Sequence, residues 1–423
     1  MLRKILSTQT WRHSQITILG TIINGVLGAI FYILMARFLG PADFGLLTVT
    51  IVTLTLISDI GDLGINTGLI RFVSSSLKTD KEKAFRFLKL SLEIKFLVWL
   101  LILISGFFLS PIVSSLIFGK PELIVPLRLA MIGVGGALLF SFATSALQSF
   151  QKFFLWSFVN ISSNLLRLLI ILFLSFSQQL NLFYGISTYI ILPFFGFSLT
   201  LLFLPAKRIL AVSNERSVAK EFFRFNKWVA LFTFIAAISS RLDTFLNTRL
   251  LSVQDIGIYG AANQLTQIIP QVVGALGVVA APKFASFQDN KQMLNYFKKF
   301  QFLVLGLSLL ISLAIPLSFF ALPFLYGSKY LQSVTPFIIL LVAMLVFLIS
   351  VPLHNCIIFY FGRSDIFVWI SIIHLFIIGV LGYLMITNYG VIGTALTVLV
   401  GMIANFLLPL FWFIKLNKEK VKK

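Results

Sequence analysis

Apolar runs of 18 or more residues recur along the whole 423-residue chain, separated by short segments that gather glycine, proline and charge. Each run is long enough to cross about 30 Å of hydrocarbon as a helix. The pattern predicts an all-α polytopic membrane protein with twelve transmembrane helices, at 14–36, 44–68, 87–109, 126–148, 156–176, 183–204, 227–248, 256–280, 300–322, 335–357, 366–387 and 391–414. The intervening segments alternate in charge. Twenty-seven lysines and arginines fall on the side of the N-terminus, against four (Arg37, Lys120, Arg249 and Lys329) on the other. Basic loops stay in the cytoplasm, so both termini are expected there, in a multi-pass protein of the cytoplasmic (inner) membrane. The basic stretch from Arg71 to Lys95 is counted with the cytoplasmic segments. The run behind the basic start is too long for a signal h-region and reads as a retained first helix.

The polar punctuation repeats. A shift of 212 residues pairs Arg37 with Arg249, Asp43 with Asp255 and Gly45 with Gly257, and further on Arg71, Phe72 and Ser74 with Lys283, Phe284 and Ser286. The matches are polar and turn residues rather than leucines, which points to duplication. Two six-helix bundles are expected, residues 1–204 and 227–423, joined by a basic cytoplasmic linker at 205–226. An even number of spans per half makes this a parallel repeat, with the working site between the halves. Within "ARFLGPADFG" (36–45), Arg37 ends the first helix, Gly40 suits a left-handed cap, Pro41 blocks continuation and Asp43 sits where a carboxylate opposes the next helix dipole. The second copy, "TRLLSVQDIG" (248–257), lacks the Gly-Pro and is expected to be looser.

Composition adds the sign of the surroundings. With 58% hydrophobic and 11% charged residues, the chain has too little polar surface for a soluble domain. The net charge of +20 is spread over short loops rather than gathered into one patch, which argues against nucleic acid as a partner and for the bilayer. One cysteine and three scattered histidines (His13, His354, His374) offer no metal-ligand spacing, and no nucleotide-binding loop is present, so neither metal nor cofactor is expected. "GVGG" (133–136) inside the fourth span reads as a close helix-packing surface.

Charges inside spans are the informative exceptions. Arg167 lies mid-way along the fifth span, where a cation costs at least about 2.5 kcal/mol even on the lenient scale, so it should face the protein interior or a wet cavity. Asn160 and Asn164 share its helical face. A guanidinium flanked by amides suits a phosphate–sugar headgroup; pairing with an aspartate of a neighbouring helix is the alternative. Asp59, Asp62 and Asn66 form one face of the second span, placed either to bind a coupling cation or to pair with Arg167. Arg241 and Asp243, two apart, point away from each other, and each needs a partner on another helix. Gln264, Gln267 and Gln271 make a further polar face, and Arg128 reads as a snorkelling residue.

"ARFLGPADFGLLTVT" (36–50) and "SSRLDTFLNTRLLSVQDIGIYGAANQL" (239–265), with Asp243 followed by Gly257, Tyr259 and Ala262, resemble segments of bacterial and archaeal polysaccharide-biosynthesis membrane proteins of the oligosaccharide flippase type. That family shares a superfamily with multidrug and toxin extruders and lipid II flippases. The resemblance implies no enzyme but a flippase, whose partner is a polyprenyl-diphosphate-linked glycan; the polar faces of the spans then offer Arg167, Asn160, Asn164, Arg241, Gln267 and Gln271 as its cavity residues. With no ATP-binding module, a coupling cation (H+ or Na+) is a possible energy source, for which Asp59, Asp62 and Asp243 are the candidate groups. A cation-coupled multidrug-type extruder is the alternative reading. A membrane glycosyltransferase is disfavoured, because the longest non-cytoplasmic loop, 110–125, is too short to house a catalytic site.

Overall fold

Glycine sets the two sharpest reversals of the backbone. The computed structural model describes residues 9–77, 79–239 and 241–421; of the expected cytoplasmic basic residues, Arg3, Lys4, Lys78, Lys422 and Lys423 lie outside these. The first helical run, α1 (Gln9–Gly61), is broken at Gly40, whose φ of 78° and ψ of 172° belong to a region open essentially only to glycine. This is not the left-handed helical cap the sequence suggested, but it does the same work, with Pro41 directly behind it. The last run, α16 (Gly382–Val421), is broken at Gly390 (φ 56°), and the chain doubles back so tightly that a Cβ on Gly393 would stand 2.0 Å from the Met385 carbonyl oxygen.

Between them run α2 (Ile65–Ser76), α3 (Lys81–Ile112), α4 (Ile124–Ser149), α5 (Phe153–Phe176), α6 (Leu182–Leu201), α7 (Ala206–Ala211), α8 (Arg216–Ser239), α9 (Leu242–Leu250), α10 (Val253–Thr266), α11 (Ile268–Ala285), α12 (Asn290–Ser312), α13 (Ala314–Tyr326), α14 (Val334–Asn355) and α15 (Asp365–Phe376). Among the described residues every regular element is helical, and nine runs are long and apolar enough to cross a membrane. The first of these, 47 residues, would extend about 70 Å if straight, more than twice the hydrocarbon thickness. The exposed faces of the later helices suit lipid rather than water: Leu101, Phe108, Phe173, Phe302 and Phe320 are all largely exposed.

Three expected spans are interrupted where they turn polar. The second stops at Gly61 and restarts at Ile65 through Leu63 (φ 50°) and Gly64 (φ 71°). The seventh is not one helix: α8 ends at Ser239 and α9 begins at Leu242. The eighth is divided at Gln267.

The chain forms two compact units, Met1–Leu39 with Leu46–Arg241, and Gly40–Gly45 with Leu242–Lys423. In the first, α4 packs closely on its neighbours through the glycines of "GVGG": a Cβ on Gly133 would meet Leu54 and Ile190, and one on Gly135 would meet the Trp99 ring. Phe72, Phe87 and Phe222 close one end of this unit with rings 4.9–5.9 Å apart. The segment after α6 is pinned to α3: Lys83 pairs with Glu221 at 2.9 Å, Arg86 pairs with Glu215, and the Lys89 ammonium donates to the Val212 carbonyl at 2.7 Å.

In the second unit, the segment 40–45 meets α10 at two glycines that leave no room for a side chain. A Cβ on Gly45 would stand 1.9 Å from the Val253 carbonyl oxygen, and one on Gly257 would stand 1.9 Å from that of Pro41. The second hairpin, expected to be looser, is closed in two residues. Ser252 caps α10, accepting from the Asp255 N–H at 3.1 Å and donating to its carboxylate at 2.7 Å. Arg249 occupies the last turn of α9, where a cation opposes the helix dipole. Gly45→Ala and Gly257→Ala are therefore each expected to lower stability by about 1–3 kcal/mol or more. Thermal unfolding in detergent measures this against Gly274→Ala, a helical position with nothing within 4 Å, which should unfold no earlier than the wild type.

Candidate functional site

The first unit encloses a cavity of about 500 Å³. Its polar wall comes from six helices and the break between α1 and α2: Thr55, Ser58 and Asp59 of α1, Asp62 at the break, Asn66 of α2, Ser141 and Thr144 of α4, Asn160, Ser163, Asn164 and Arg167 of α5, Tyr189 of α6 and Thr233 of α8. The asparagines and Arg167 reach one wall because they recur at positions i, i+4 and i+7 of a single helix.

Arg167 is clamped. Its guanidinium lies 4.6 Å from the centre of the Phe31 ring and 4.9 Å from that of Tyr189, so the cation rests against two neighbouring aromatic rings, whose own centres are 5.9 Å apart. One Nη2 hydrogen is donated to the Asn164 side-chain oxygen. Asn164 in turn donates to the Asn24 side-chain oxygen at 2.8 Å, and the hydroxyls of Tyr189 and Tyr32 hydrogen-bond each other. Among the described residues no carboxylate lies within ion-pair distance of Arg167, and its buried Nε has no hydrogen-bond partner. Ser58 and Ser163, both nearly inaccessible, also carry hydroxyls without a partner at this wall. Buried donors left open in this way are what a polar occupant, solute or solvent, satisfies. Phe31→Ala is expected to free the guanidinium from its plane and weaken anion binding by roughly 5- to 10-fold, in line with about 1 kcal/mol for a half-buried cation–π contact. Tyr189→Phe, which keeps the ring, should change it by less than half as much; titration with a soluble prenyl diphosphate measures both.

The acidic face divides. The Asp62 carboxylate sits at the chain break, where one oxygen accepts from the Asn66 N–H at the start of α2 (3.3 Å) and the other pairs with the Lys95 ammonium at 2.7 Å. Lys95 is completely buried, whereas the Asp62 side chain is 16% exposed to the cavity. Lys95 also donates to the Ser141 hydroxyl at 2.7 Å, the Asn66 side-chain oxygen at 2.8 Å and the Leu138 carbonyl at 3.3 Å. It therefore does not belong with the loop cations, where the charge pattern put it; it is one turn too deep in α3. Asp59 stays open to the cavity and interacts electrostatically with Arg241, which follows α8.

Of the other residues singled out in the sequence, Arg241 does not line the cavity, and its buried Nε has no hydrogen-bond partner among the described residues. Gln267 and Gln271 belong to the second unit, where the Gln267 amide donates to the Asn263 side chain at 3.0 Å. Asp243, also of that unit, accepts from the buried Tyr259 hydroxyl at 2.8 Å, which gives it the off-helix partner its spacing from Arg241 required. His354 bridges to the Asn405 carbonyl at 3.0 Å, and Arg128 lies over the Phe107 ring.

The sequence profile described as polysaccharide biosynthesis protein matches residues 10–288, about two thirds of the chain. The chain belongs to the polysaccharide biosynthesis protein family. No curated protein matches it in sequence. Solved structures with the same fold include the lipid II flippase MurJ in an inward-closed conformation (TM-score 0.75, 16% identity, covering 95% of this chain and 88% of that one). An inward-facing multidrug-resistance MATE transporter of the MOP superfamily matches at TM-score 0.73 and 14% identity, covering 95% of this chain and 99% of that one. A MOP-superfamily transporter from Pyrococcus furiosus, described as having a binding pocket of reversed polarity, matches at TM-score 0.63 and 14% identity over 97% and 96% of the two chains. At these identities the likeness concerns the fold, that of a multi-pass membrane transporter. In this member of the polysaccharide biosynthesis family, the residues that sequence reasoning missed are Lys95, Phe31 and Tyr189. Lys95 had one signal, a lysine followed by seven apolar residues (Phe96 to Ile102).

Proposed function

We propose that this protein is a flippase that carries a polyprenyl-diphosphate-linked oligosaccharide across the cytoplasmic membrane for surface polysaccharide biosynthesis. The observation that carries the reading is Arg167: a guanidinium with no ion pair among the described residues, resting against two neighbouring rings at the wall of a polar cavity in an apolar helical unit. Such a cation presents a donor edge that suits phosphate oxygens. Asn160 and Asn164 beside it offer amides for sugar hydroxyls. The polyprenyl tail stays in lipid, and Arg241, Gln267 and Gln271 are proposed as further headgroup contacts.

Twelve spans follow if the runs broken at Gly40 and Gly390 each cross twice and α8 crosses once. The reciprocal packing of Gly45 on Val253 and Gly257 on Pro41 supports the parallel repeat, since both contacts map onto each other under the 212-residue shift. The halves 1–204 and 227–423 then rock about the fixed site by alternating access. Both termini stay cytoplasmic. Asp59, Asp62 and Asp243 are the groups available for charge pairing or for a coupling cation, H+ or Na+.

A strain lacking the protein is expected to accumulate lipid-linked glycan on the cytoplasmic face. Arg167→Ala, inserted at wild-type level, should fail to relieve it; full relief would remove Arg167 from the mechanism. A second reading, a cation-coupled extruder of small organic molecules, is favoured by the Asp59 and Asp62 carboxylates at the same wall. It requires the deletion strain to become drug-sensitive without accumulating glycan.

A further inference from the structure

We infer that Lys95 is a second, masked anion position of this cavity, and that the phosphate group of the ligand takes it over from Asp62 while Asp62 leaves as the neutral acid. The inference rests on the reading of the cavity as a phosphate–sugar site. It starts from where the pair stands. Asp62 lines the cavity, and the Lys95 ammonium lies 2.7 Å behind it, fully buried, with Asn66 and Ser141 as its other side-chain partners. Those two residues line the cavity as well, so the ammonium is separated from the ligand space by the thickness of one carboxylate. The carboxylate is held as a bound anion would be, with one oxygen on an ammonium and the other on the N–H at the start of a helix. It is a tethered occupant of a site shaped for an oxyanion.

The charge balance then fixes the proton. Lys95 and Asp62 together are neutral. A phosphate oxyanion that joined them without a proton would leave a net negative charge in a low-dielectric setting, which is expensive. When Asp62 takes one proton from water and the phosphate oxygen takes the carboxylate's place on Lys95, the buried charge stays at zero. No covalent bond to carbon or phosphorus changes. The charged and titratable groups that face Asp62 allow this. Lys95 comes from α3, Asp59 from α1, Arg167 from across the cavity on α5 and Tyr189 from α6. The remaining polar wall residues nearby, Ser141, Thr144 and Thr233, do not titrate. Arg167 and Lys95 thus act in sequence: the open cation captures the headgroup, and the masked one commits it with a proton.

The test is calorimetric titration of the detergent-solubilised full-length protein with farnesyl diphosphate at pH 7.5, in two buffers of different ionisation enthalpy. The wild type is expected to take up close to one proton more per ligand than Asp62→Asn. Asp62→Asn should bind at least as tightly, with an affinity that no longer rises as the pH falls from 8 to 6. Asp62→Asn/Lys95→Met removes both charges, so it keeps the buried site neutral; it should bind at least 10-fold more weakly, with no extra proton. Equal proton uptake by the wild type and Asp62→Asn overturns the inference and leaves the phosphate site standing. Should Asp62→Asn fail to fold, the wild-type titration still decides: heats that do not depend on the buffer, beyond the ligand's own protonation, overturn it. Absence of any farnesyl diphosphate binding by the wild type overturns the reading of the cavity and the inference with it.

Discussion

Arg167→Ala is expected to weaken binding of a prenyl diphosphate by roughly 100-fold, the equivalent of about 3 kcal/mol for the charge-assisted hydrogen bonds of one guanidinium. The loss should appear in affinity rather than in folding. Among the described residues the side chain has no ion pair to break, and what it leaves behind is a polar cavity that water can fill. Arg167→Lys separates charge from shape. A lysine keeps the positive charge but cannot lay a planar face on the Phe31 and Tyr189 rings or present two parallel donors, so an intermediate loss of about 10-fold is expected. Titration of the solubilised protein measures both variants. An Arg167→Ala protein that binds as the wild type does would mean that the clamped cation serves packing alone.

The second large effect concerns stability. Lys95→Met is expected to cost about 3–5 kcal/mol, because it strands the Asp62 carboxylate beside an apolar helix without its counter-ion. Asp62→Asn/Lys95→Met should recover most of that loss, since a pair of neutral groups needs no compensation. Thermal unfolding in detergent separates the two outcomes. Equal destabilisation by the single and double variants would show that the lysine contributes through its stem and its bonds to Ser141 and Asn66 rather than through the pair.

These two residues also mark the limit of what the sequence reveals. Arg167 was legible because a cation in the middle of an apolar run has no bland explanation, and Asn160 and Asn164 fall on its face by helical spacing alone. The hairpin at 36–45 was legible because glycine and proline act locally, although the backbone chose a different glycine conformation from the one expected. Lys95 was not. It follows Lys81, Lys83, Arg86 and Lys89 along one helix and reads as the last of a basic loop. What buries it is Asp62, brought to the same depth by a chain break at Leu63 and Gly64 that interrupts an otherwise regular apolar pattern. The aromatic clamp was hidden for a similar reason. Phe31 and Tyr189 come from helices more than 150 residues apart in a chain with 46 phenylalanines, and nothing local separates a clamp residue from a lipid-facing one. Asp62 illustrates the middle case: its presence on a polar face was legible, but its partner was not.

On the proposed function, an anionic, lipid-linked headgroup moves from one leaflet to the other through a cavity organised by Arg167. The most direct measurement uses proteoliposomes carrying a fluorescent polyprenyl-diphosphate oligosaccharide in the inner leaflet. The appearance of the glycan on the outside is followed with a membrane-impermeant glycosidase. Vesicles containing the wild-type protein should expose the glycan much faster than empty ones, with Arg167→Ala vesicles close to empty. Exposure at the empty-vesicle rate with correctly inserted wild-type protein, under every imposed proton or sodium gradient, would contradict the account.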